Sequence, residues 1–68
     1  MQKYEYAFVN SATVNGVDRP TSVNGQELPN WKSGPSIYEF CTRMGDEGWE
    51  LIACEYIPLK LVFKRPKQ

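Results

Sequence analysis

Ser36-Ile37-Tyr38-Glu39-Phe40-Cys41-Thr42-Arg43-Met44-Gly45-Asp46-Glu47-Gly48-Trp49-Glu50-Leu51 decides the fold, because it holds the start, the buried stripe and the stop of one helix. Ser36, with Glu39 three residues on, forms a capping box in which each side chain satisfies an orphan backbone N–H. Ile37, Phe40, Cys41 and Met44 stand at i, i+3, i+4 and i+7, which draws one apolar stripe. Gly48 supplies the left-handed residue that ends a helix. The spacing predicts a helix over Ser36 to Glu47. Gly45, inside the last turn, costs about 1 kcal/mol relative to alanine. Close approach of the helix to a sheet is the expected reason for it.

Downstream, Trp49 to Ile57 reads as a strand and Leu61 to Arg65 as another, with Pro58-Leu59-Lys60 as the turn. Loop length sets the register. A three-residue loop pairs Ile57 with Leu61 and Glu55 with Phe63. Trp49, Leu51, Ala53, Leu61 and Phe63 then share the face that the helix covers. A two-residue loop is the alternative and buries less.

Upstream, Tyr4 to Val9 alternates as a first strand, with Tyr4, Tyr6 and Phe8 on one face and Glu5, Ala7 and Val9 on the other. Tyr6 and Phe8 are expected under the helix. Residues 10–34 are polar and turn-rich. Asn15-Gly16 and Asn24-Gly25 both suit type I′ hairpins, since asparagine and glycine tolerate positive φ. One or two short β-excursions are expected there, anchored by Leu28 and Trp31. A right-handed crossover makes the first two core strands parallel, and the third fits antiparallel between them. The expected fold is therefore α+β: a single β-α-β-β domain over residues 1–68. It has a three-stranded mixed sheet of order 1-3-2, one helix on one face, and residues 10–34 as a long loop or β-hairpin insertion.

The chain has 68 residues, eight basic and eight acidic, with zero net charge and no histidine. A core this small is marginal, and such chains often need a disulfide, a metal or an oligomer. The opening residues lack the apolar run of a signal peptide, so a reducing, cytoplasmic setting is expected and a disulfide between Cys41 and Cys54 is not. Without histidine, and with two widely spaced cysteines, no metal site and no cofactor are expected. Zero net charge argues against a dedicated nucleic-acid binder. No apolar run is long enough to span a membrane. Oligomerisation, or a well-packed monomer, is the remaining route to stability.

Tyr4-Glu5-Tyr6, Gly45-Asp46-Glu47-Gly48-Trp49-Glu50-Leu51 and Phe63-Lys64-Arg65-Pro66 together resemble the small bacterial domain-of-unknown-function family 4177, which pairs a YEY start with a GxEGWEL turn and an FKR end. The resemblance covers about half the chain. Residues 10–34 depart from it, being longer than in many members. It implies a β-α-β-β fold of prokaryotic or phage origin, and no activity.

No catalytic constellation is legible. Cys41 lies on the apolar helix stripe with no histidine to act as its base. Glu50 and Glu55, five apart on a strand, are expected on opposite faces. The acidic bend at Gly45 to Leu51 sits at a helix C-terminus, whose dipole repels anions. The basic Lys60, Lys64, Arg65 and Lys67 could join aromatic residues in a single-strand surface, but the aromatics are expected under the helix. The face expected to be open carries Ala7, Val9, Ile52, Cys54, Tyr56 and Val62, too apolar for water alone. The leading expectation is a non-catalytic interaction module, not an enzyme, that associates with itself as a homodimer or with another protein through this face or a sheet edge. The alternatives are a small-ligand binding or sequestering protein, with Trp31, Tyr38 and Tyr56 lining the pocket, and a nucleic-acid accessory protein.

Overall fold

The structure, a computed structural model, describes residues 1–56 and 59–67. Its elements are β1 (Tyr4–Val14), β2 (Val17–Val23), β3 (Gln26–Glu27), a short 3-10 helix (Trp31–Ser33), α1 (Ile37–Asp46), β4 (Glu50–Glu55) and β5 (Lys60–Pro66). The strands form one five-stranded sheet in the order β3-β2-β1-β5-β4. Every neighbouring pair is antiparallel. The chain is α+β, but the three-stranded mixed sheet expected from the sequence is too small.

The physical reason lies in the Asn-Gly turns. Asn15 and Gly16 take φ of 54° and 76°, and Asn24 and Gly25 take 52° and 83°. Two residues in succession at positive φ match the twist of a tight hairpin. The first turn lets β1 continue to Val14 and fold back as β2, and the second adds β3. Asn24 also ties its turn to the middle of β1: its backbone N–H donates to the Phe8 carbonyl at 2.8 Å, and its side-chain Oδ1 accepts from the Phe8 N–H at 2.8 Å.

Helix α1 is bounded as its sequence dictates. Ser36 accepts from the Glu39 N–H, and Glu39 reaches back to the Ser36 N–H, which completes the capping box. At the other end Gly48 has φ of 89°. The Trp49 N–H donates to the Met44 carbonyl at 2.9 Å and the Gly48 N–H to the Gly45 carbonyl at 3.0 Å. These two bonds are the paired closures of a Schellman motif. Gly45 itself has open space where a Cβ would be. Close approach to the sheet is therefore not what keeps this glycine, contrary to expectation.

The core consists of Ala7, Val9, Ile37, Met44, Leu61 and Phe63, with Val23, Phe40, Cys41, Trp49 and Leu59 packed around it. The Phe40 ring meets Phe63 edge-on at 6.4 Å. The helix stripe thus covers Ala7 and Val9 of β1, not Tyr6 and Phe8. Ala7 and Val9 are each 2 % exposed, whereas Tyr6 is 48 % and Phe8 57 % exposed. Ala7 pairs with Phe63 and Val9 with Leu61, so small side chains on β1 make room for large ones on β5 beneath the helix.

The β4–β5 register also differs. Cys54 pairs with Leu61 and Glu55 with Lys60, and the register shifts between Leu51 and Ala53. Ile52 is the extra residue of a bulge, which reverses the facing of everything after it. Leu51 stays level with Phe63, but Ala53 moves to the side of Val62 and Cys54 to the side of Leu61. The expected Ile57 pairing and the turn at Pro58 fall on residues outside those described. Leu61 pairs instead with Cys54.

Candidate interaction surface

With α1 on one side, the other side of β1, β5 and β4 carries a layer of side chains with no element above it among the described residues. Cross-strand partners share a face, and the pairings define three rows on it. Tyr6, Lys64 and Glu50 form one row, Phe8, Val62 and Ala53 the next, and Asn10, Lys60 and Glu55 the third. Ile52, 44 % exposed and unpaired at the bulge, follows Leu51 of the helix side and so by alternation stands beside the middle row. Tyr4 extends the first strand beyond the rows, with the Lys64 ammonium 4.6 Å from its ring centre. An apolar row is therefore bracketed by two rows that each carry one lysine and one glutamate. A shallow cleft of about 400 Å³ lies over its lower half, lined among others by Phe8, Asn10, Ala53, Glu55, Lys60 and Val62.

The residues expected to form an open apolar face are redistributed. Ile52 and Val62 stand on the outer layer. Ala7 and Val9 lie in the core instead, and Cys54 sits level with core Leu61 on the helix side. Tyr56 is exposed in the turn after β4. Tyr4, Tyr6 and Phe8, expected from the sequence to lie under the helix, take the places of Ala7 and Val9. The Asn15-Gly16 turn alone would set Val9 opposite Ser22, and only the register shift between Asn10 and Ser11 brings Val9 to Val23, so the aliphatic face that these two valines share was not legible from the turn.

The three candidate ligand-pocket residues stand on separate elements. Trp31 opens the 3-10 helix, Tyr38 is on the exposed side of α1, and Tyr56 is in the turn. None of them lines the clefts described here. Trp31 packs with its own neighbour, the Lys32 ammonium lying 5.8 Å from its ring centre.

The remaining polar groups do structural work. The Arg65 guanidinium stacks on Trp49 at 4.3 Å, bonds the Glu47 carbonyl at 3.1 Å and pairs with Glu5 at 3.4 Å. This cluster closes the helix end of the Gly45–Leu51 segment. It also occupies the wall of a cleft of about 570 Å³ lined by Glu5, Glu47 and Arg65. Arg19 donates to the Gly34 carbonyl and ties β2 to the loop before α1. Cys41 is half-buried, and burial, followed by nearby Cys54, pushes its thiol above the ordinary value, which opposes thiolate chemistry.

The bulge brings Glu50 and Glu55 to the same face, contrary to expectation, but in rows at opposite ends of the apolar row. Five residues of strand hold them roughly 15 Å apart, beyond the reach of a working carboxylate pair. Among the described residues no three metal-ligating side chains come together. No helix among them is long and apolar enough to cross a membrane. No protein-family model, no curated protein and no solved structure matches this chain.

Proposed function

We propose that this protein is a non-catalytic interaction module that associates with itself through the outer face of β1, β5 and β4. The observation that carries the reading is the contiguous exposure of Tyr4, Tyr6, Phe8 and Ile52 on a single face. A buried apolar centre with a polar rim is the usual anatomy of a protein interface, and aromatic residues are enriched there. Self-association also suits a chain whose core is small. A cytoplasmic setting and the resemblance to family 4177 are part of the same proposal. That family contributes no activity, and its Gly45–Leu51 signature serves here as a helix stop and a stack for Arg65.

The face is favoured over the edges. β3 is only two residues long, and short edges resist pairing. β4 is longer but carries the bulge at Ile52. Two β4 strands paired antiparallel about Ile52 and Ala53 would set Glu50 opposite the partner's Glu55, and like charges directly opposite are unfavourable. Light scattering on the eluting peak, from ten to several hundred micromolar, tests the reading. The wild-type mass should rise toward a dimer, and Phe8→Asp should hold it at the monomer. A wild-type chain that stays monomeric throughout would overturn the proposal.

One observation favours a second reading. Exposed aromatics beside lysines, such as Tyr4 under Lys64, can stack bases of a single strand. Zero net charge opposes it. A gel shift with a single-stranded oligonucleotide, weakening steeply with salt, would promote this reading over the first.

A further inference from the structure

We infer that the self-association proposed above is a face-to-face pair about a two-fold axis running along β5. The inference rests on that proposal and specifies its geometry. Two sheets packed face to face stand about 10 Å apart. Only two axes in the plane between them superpose the three rows on themselves: one along the strands and one across them.

The two arrangements differ in what meets what. With the axis along β5, each row faces its own copy with β1 and β4 exchanged. Tyr6 then faces the partner's Glu50, and Asn10 faces the partner's Glu55. A phenol hydroxyl and a side-chain amide donate, and the carboxylates accept, so every contact at the flanks joins a donor to an acceptor. Phe8 lies on the partner's Ile52 and Ala53, and Val62 meets its own copy on the axis. Lys64 and Lys60 also meet their copies. Each such pair stands between two glutamates, one from each chain, so both ends of the apolar row are neutral clusters.

With the axis across the strands, the first row faces the third. Glu50 then faces the partner's Glu55 and Lys64 faces the partner's Lys60. Lysine faces lysine with either axis, but here the carboxylates oppose each other as well, with no donor opposite either one. The charge pattern therefore selects the axis along β5.

The footprint bounds the strength. The seven residues of β1 that pair with β5, the seven of β5 and the six of β4 cover a projected area of roughly 320 Å² per chain, from strand spacing and rise. The two chains together stay below the ~1,000 Å² of a stable specific interface, which makes the pair a weak, transient one. Dissociation on dilution is the expected consequence, seen as a mass that changes with concentration.

An isotope-filtered NOESY experiment on a mixture of labelled and unlabelled wild-type protein tests the geometry at concentrations where the dimer dominates. The expected result is intermolecular contact from the Phe8 ring to the methyl groups of Ile52 and Ala53. Contacts of Phe8 with Phe8 across the interface would establish the other axis and overturn the inference. Contacts between two β4 backbones would establish edge pairing and overturn it too. In both cases self-association itself survives. A chain that remains monomeric removes both the geometry and the reading it rests on. As a control, Tyr6→Phe removes one donor per flank and leaves the ring. It should weaken the dimer several-fold with the Phe8–Ile52 contacts retained, and unchanged affinity would remove Tyr6 from the interface and overturn this axis.

Discussion

The two faces of β1 invert the usual association of size with burial. Its inner face gives the core alanine and valine, while its outer face leaves two tyrosines and a phenylalanine in the open. The neighbouring strand does the opposite, burying Leu61 and Phe63. A core under one helix has a fixed volume, and interiors pack at crystal-like density. Once Phe63 and Phe40 fill the space beneath α1, β1 can present only small side chains there. Hydrophobicity alone therefore does not sort the faces of this strand; the volume left by its neighbour does.

The largest expected effect tests that inversion directly. Phe63→Ala should cost about 3–5 kcal/mol, enough to leave a domain of this size largely unfolded. Phe8→Ala, at the same depth in sequence hydrophobicity, should change stability by no more than about 0.5 kcal/mol when urea melts are run dilute, where the monomer dominates. Equal losses for the two would break the comparison.

A smaller effect sharpens it. If volume decides, enlarging the inner face must hurt. Ala7→Leu should cost about 1–3 kcal/mol by overpacking against Phe63, whereas Tyr6→Leu, one position away, should leave a dilute thermal melt nearly unchanged. A stable Ala7→Leu variant would mean that the seam between helix and sheet has spare room.

The smallest effect probes where the crowding stops. Gly45 lies on α1 with open space at its Cβ position. Gly45→Ala should therefore stabilise the fold by about 0.4–1 kcal/mol, through a less flexible unfolded chain. Destabilisation in a denaturant titration would place Gly45 against a neighbour after all.

Much of the local structure was legible because it depends on near neighbours. The Ser36–Glu39 capping box, the stripe from Ile37 to Met44 and the stop at Gly48 are contacts within one helix, and the sequence states them completely. The Asn-Gly turns were legible for the same reason, since positive φ is a property of the residues that adopt it. The candidate surface was only half legible. Ile52 and Val62 were placed on the open layer, but Tyr4, Tyr6 and Phe8 were assigned to the wrong side.

What the sequence by itself determined is the set of local signals: one capped helix, two tight turns and the alternation that separates Tyr6 and Phe8 from Ala7 and Val9. What only the tertiary structure decided is how those pieces add. The two turns extend β1 and join the hairpin to the main sheet, making five strands of it. The bulge at Ile52 moves Ala53, Cys54 and Glu55 to faces that simple alternation denies them. The helix settles on the thinner side of β1. Alternation fixes which residues share a face, but it is symmetric between the two faces. Only packing against a second layer breaks that symmetry, and the packing is decided by residues distant in the chain.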